Sequence, residues 1–181
     1  MSRASAPVVG AVLLIAVTVT AAGLVAFVAF EEVEEPPPPT PQNAEVTGAL
    51  VEPADSPQAC GGDSIRLVHQ GGNAVELSRT YILVRPLDGP ASEARIENLP
   101  TDGTTFEDEQ IAYDPDNLIN DNCVRGVAAE NRGQWTAGTR IQFDLNSGAG
   151  TLDAGDRIEV VVVHEPSGGV VAEVQLTMRD Q

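Results

Sequence analysis

From Ala4 to Phe30 the chain runs 27 residues without a charged side chain, and from Val8 onward its only hydroxyls are those of Thr18 and Thr20. This exceeds the roughly 20 apolar residues that cross a bilayer core of about 30 Å. As a helix, residues 6–30 reach about 37 Å at about 1.5 Å per residue. A lone strand is excluded, because its backbone groups would lie unpaired in hydrocarbon. Pro7 stands at the start of the run, where a missing N–H costs least. Gly10 and Gly23, with six alanines between Ala11 and Ala29, allow a neighbouring helix to approach closely. Two readings are open on these residues: a passive anchor, or a helix that packs against copies of itself. A cleaved secretory signal fits poorly, because its apolar region is about 7–15 residues long.

Arg3 is the basic residue at one end of the run, and Glu31, Glu32, Glu34 and Glu35 crowd the other. Positive-inside counting puts the N-terminus in the cytoplasm and the hydrophilic remainder outside the cell membrane.

The opening stretch Arg3-Ala4-Ser5-Ala6-Pro7-Val8-Val9-Gly10-Ala11-Val12-Leu13-Leu14-Ile15 and its Val/Ala-rich continuation resembles the N-terminus of archaeal type IV pilins, the haloarchaeal ones in particular. Ala4 takes the place of the commoner glycine and Ala6 that of a serine, small for small. The resemblance implies a short leader, residues 1–4, that a prepilin peptidase removes after Ala4, with Arg3 before the cut and Ser5 as the new N-terminus. It implies that helix 5–33 is retained, embedded in membrane lipid and then packed against sister pilin subunits through Pro7, Gly10 and Gly23. Three later stretches are similar to landmarks of pilin-like outer domains: His69-Gln70-Gly71-Gly72-Asn73, Trp135-Thr136-Ala137-Gly138 and Leu152-Asp153-Ala154-Gly155-Asp156.

Residues 34–43 read as an acidic, proline-rich stem, since Pro36 to Pro39 favour polyproline II at about 3.1 Å per residue. From residue 44 to 181 the chain reads as an all-β domain, an antiparallel sandwich or barrel. Strand patterns fall at 44–51, 64–69, 74–77, 81–86, 94–99, 139–145, 157–164 and 170–178, separated by turn residues such as Gly71-Gly72 and Asp88-Gly89-Pro90. The clearest hairpin is 157–178. On its return strand Val170, Ala172, Val174, Leu176 and Met178 are expected on the buried side. Phe106 to Asn131 is polar and aperiodic and reads as a long loop. Trp135 is expected in the core.

Cys60 and Cys123 are the only cysteines, both in loop-like contexts. Outside the membrane they are expected to form one disulfide, with two buried thiols as the alternative. The closed loop would be worth about 4 kcal/mol in the chain-entropy account.

The chain carries 27 Asp and Glu against 10 Arg, with no Lys, for a formal charge of −17. Such a surface repels nucleic acid and anionic lipid headgroups. It is the surface expected of a halophile, where salt screens self-repulsion. Asp114-Pro115-Asp116-Asn117 and Asn120-Asp121-Asn122 supply dense oxygen ligands, but Leu118 occupies a ligand position of the calcium-loop pattern. His69 and His164 bring no third metal ligand, and neither cysteine nor any serine stands in a nucleophile motif. No catalytic residue, metal or cofactor is therefore assigned. The expected function is a structural surface subunit that displays its β domain for adhesion; a membrane-anchored binding module that never assembles is the alternative. The −17 charge predicts that the outer domain melts higher in ~3 M than in ~0.1 M potassium chloride. An unchanged melting temperature would contradict the halophilic reading.

Overall fold

The computed structural model describes residues 10–20, 43–51, 63–130, 132–146 and 152–178. The chain divides into two compact units, Met1–Pro38 and Pro39–Gln181. In the first, residues 10–20 are α-helical. The remainder of the expected 5–33 helix lies outside the described residues, as do the leader and nearly all of the stem. Among the described residues no helix is long and apolar enough to cross a membrane.

The second unit is antiparallel β throughout its pairings. Strands β1 (Ala44–Val51), β2 (Ser64–Gly72), β7 (Ile119–Gly126) and β9 (Arg140–Leu145) form one sheet in the order β1-β2-β9-β7. Strands β4 (Thr80–Pro86), β5 (Ala94–Ile96), β6 (Ile111–Tyr113), β10 (Arg157–His164) and β11 (Gly169–Thr177) form a second, in the order β11-β10-β4-β5-β6. A short ribbon pairs β3 (Val75–Glu76) with β8 (Gln134–Trp135). Both sheets are open, so the barrel alternative does not hold.

Alternation along the strands explains the layering. Ile65 and Leu67 of β2 and Ile141 and Phe143 of β9 share one core with Ile82 and Val84 of β4 and Ile158, Val160 and Val162 of β10. Trp135 closes one end of that core, fully buried, its indole N–H donating to the Thr139 carbonyl at 3.2 Å. The ring of His69 meets it edge-on at 5.5 Å.

Three expectations need correction. Val170 is 52 % exposed, because a bulge between Val162 and Val163 shifts the register of the hairpin and turns Val171 inward instead. The stretch expected as a loop from Phe106 to Asn131 contains β6 and β7. Strand β7 is held mainly by its backbone, since it pairs with β9 on one side and on the other exchanges bonds with the preceding segment. There Val124 N–H donates to Thr104 O at 2.9 Å, and Phe106 N–H donates to Asp121 O. Cys123 consequently sits on a buried strand rather than in a loop.

Two glycines permit close approaches. Gly126 has φ +77°, and a Cβ there would run into the Arg140 carbonyl oxygen. At Gly48, where β1 lies against β11, a Cβ would stand 2.5 Å from a Val174 methyl. A methyl rotates or shifts, whereas a carbonyl bonded into a sheet does not. Gly48→Ala is therefore expected to cost about 1 kcal/mol and Gly126→Ala about 2–3 kcal/mol, measured by denaturant unfolding. Equal losses would contradict this packing.

Candidate functional site

Two regions bring together residues that could serve a surface protein: the N-terminal helix and the acidic end of the β domain. Within helix 10–20 every residue is exposed. Val12, Leu13, Leu14, Ile15, Val17 and Val19 point in all directions round the axis, each at least 60 % exposed. The two hydroxyls make no demand on a partner, since Thr18 donates to the Leu14 carbonyl at 3.0 Å and Thr20 to the Ala16 carbonyl at 2.8 Å. The helix therefore presents hydrocarbon on every side, the pattern of a helix buried in protein or lipid. A Cβ at Gly10 would meet nothing within 4 Å, leaving that notch open to a neighbour. Arg3, Ala4, Ser5, Pro7 and Gly23 lie outside the described residues, and so does Cys60. Cys123 is 1 % exposed, and there is no free cysteine among the described residues.

The histidines are structural. His69 is fully buried and its Nε2–H donates to the Asn73 carbonyl at 2.9 Å, tying the end of β2 to its turn. His164 Nδ1 lies 2.9 Å from the Ser167 hydroxyl within the β10–β11 turn. Asp114 spends both carboxylate oxygens on the backbone N–H groups of Leu118 (2.7 Å) and Ile119 (2.8 Å). That bonding explains the dense Asp/Asn spacing as turn chemistry. Among the described residues no three His, Cys, Asp or Glu side chains gather in a way that would hold a metal ion.

The same loop lines a cleft of about 370 Å³, floored by Phe106, Ile111 and Ile119 and walled by Glu107, Asp108, Asp114 and Asp121. Sequence reasoning missed Glu107 and Asp108. The signal was available: eight carboxylates and no basic residue fall between Arg95 and Arg125. Six of the described arginines are matched to acids of their own domain. Arg79 pairs with Glu76, Arg85 with Glu93 and Glu159, Arg95 with Glu97 and Glu165, Arg132 with Glu130, and Arg157 with Asp88. Arg125 holds the fully buried Asp144 at 3.3 Å, with the Ser64 hydroxyl donating to the same carboxylate. Arg66 donates to the Gln142 amide oxygen at 3.1 Å.

The forked bond from Arg157 to Asp88 is the main reason the Asp88 carboxyl is held below its usual range, and in return it raises Arg157. The Ser92 backbone N–H, 2.7 Å away, lowers Asp116 in the same sense. The hydrogen bond to Glu93 raises Arg85. A depressed carboxylate contributes stability above its unfolded pKa and loses it as pH falls through the folded value. Asp88→Asn is thus expected to melt below the wild type at about pH 6, with the gap closing as pH drops below about 4. A gap that widens on acidification would contradict the assignment.

Residues 3–46 match a family model described as the N-terminal region of archaeal type IV pilins. No curated protein matches the chain. The matched stretch takes in the exposed apolar helix and ends at the start of β1. Residues 3–46 are thus similar to the N-terminal region of archaeal type IV pilins.

Proposed function

We propose that the chain is a structural subunit of an archaeal type IV pilus or pilin-like surface filament, assembling through its N-terminal helix and displaying the β domain for surface contact and adhesion. The observation that carries this reading is the pilin match over residues 3–46. The all-round apolar surface of helix 10–20 supports it, because such a surface needs either lipid or sister helices. On this reading the helix first spans the cell membrane, N-terminus in the cytoplasm and β domain outside. Prepilin peptidase cuts between Ala4 and Ser5, and the freed helix packs against other subunits through its small residues at Gly10 and Gly23. Outside the cell Cys123 pairs with Cys60, a reading supported by the burial of Cys123 and the absence of a free cysteine among the described residues.

The test is N-terminal sequencing of protein recovered from sheared surface material. Wild type is expected to begin at Ser5, Arg3→Glu to remain unprocessed, and Gly10→Leu or Gly23→Leu to insert in the membrane yet yield few filaments. Wild-type protein that keeps residues 1–4 and stays monomeric in the membrane overturns the reading in favour of an anchored binding module.

A further inference from the structure

Among the described residues, Arg140 is the arginine left without a carboxylate or amide partner, and it is exposed. Glu107 and Asp108, on the cleft wall, are exposed carboxylates with no basic residue beside them. The topology sets these two features at opposite ends of the four-stranded sheet. Ile119, on the cleft floor, pairs with Leu145 at the end of β9, while Gly126 pairs with Ile141, next to Arg140 at its start. Five residue steps along β9 separate the two ends by about 17 Å at about 3.4 Å per residue.

We infer that Arg140 of one copy seats in the acidic cleft of the next, so that the β domains meet head to tail. This rests on the filament reading above. The occupant is a second copy because the chain itself carries the complementary cation, and it carries it where its own cleft is out of reach. A contact between two different surfaces of one molecule repeats from copy to copy and, where its rotation closes no ring, extends into a filament. Phe106 and Ile119 are buried beneath the cleft, so what it offers an incoming guanidinium is the carboxylates of its walls. A guanidinium drawn partly out of solvent is also screened less by salt than the exposed pairs, so the contact persists at high ionic strength. The other described arginines cannot serve this role without giving up a partner in their own domain.

The experiment compares filament yield from cells producing full-length wild type, Arg140→Glu, Asp108→Arg, the two together, and Arg132→Glu. The last removes an exposed arginine that pairs with Glu130 and so controls for net charge. Melting temperatures check that each variant folds. Arg140→Glu and Asp108→Arg are each expected to lower the yield at least about tenfold, the size of losing one partner of a partly desolvated pair. The combined variant is expected to recover most of the yield, and Arg132→Glu to match wild type. Folded Arg140→Glu protein that assembles normally, a combined variant without recovery, or an equal loss in Arg132→Glu overturns the contact. Wild-type protein that forms no filaments overturns the filament reading itself, and the contact with it.

Discussion

Hydrocarbon that cannot stay in water governs this chain. Burying one Val, Leu or Ile side chain is worth about 1.5–3 kcal/mol, and the N-terminal stretch sets such residues on every side of a helix. No single face of a compact domain covers a helix of that kind. Its covering must come from around it, and on the filament reading proposed above that is first lipid and then similar helices. Thr18 and Thr20 fit the same demand, since each hydroxyl is satisfied within the helix and leaves no polar group facing a neighbour.

The β domain meets the opposite condition. Its core is closed from within by two sheets, with Phe143 and Trp135 among its largest buried side chains, and needs no partner. What it must manage is charge. Six of the described arginines are committed to carboxylates of their own domain, which lowers local repulsion without changing the −17 total. Of the eight carboxylates between Arg95 and Arg125 only Glu97 receives this relief, and four of the others gather round the cleft. Exposed pairs of this sort contribute about 0–1 kcal/mol each, so their effect on where charge remains matters more than their effect on stability.

Much of the architecture was legible in the sequence because period-two alternation is a direct consequence of the pleat. Strands β1, β4, β9 and β10 fall within a residue of where the pattern puts them, and Trp135 lies in the core as expected. The illegible parts are those where backbone bonding, not side-chain burial, sets the structure. Strand β7, Ile-Asn-Asp-Asn-Cys-Val-Arg-Gly, has no alternation to read, because it is held by Thr104, Phe106 and β9 through main-chain bonds and a register shift. Val170 misled for a related reason: one bulged residue reverses the facing of its neighbours along the strand. The cleft was hidden because Glu107 and Asp114 become neighbours only through the turn that brings β6 towards β7, although the missing basic residues marked its place.

The central claim is that the uncharged helix ends among copies of itself. A reconstruction by electron microscopy of filaments sheared from cells producing this chain tests it most directly. The expected result is a core of closely packed helices in which residues 10–20 contact only other helices, with the β domains arrayed outside. Filaments whose core lacks this helix, or cells with the chain in their membranes and in no filament, would contradict it.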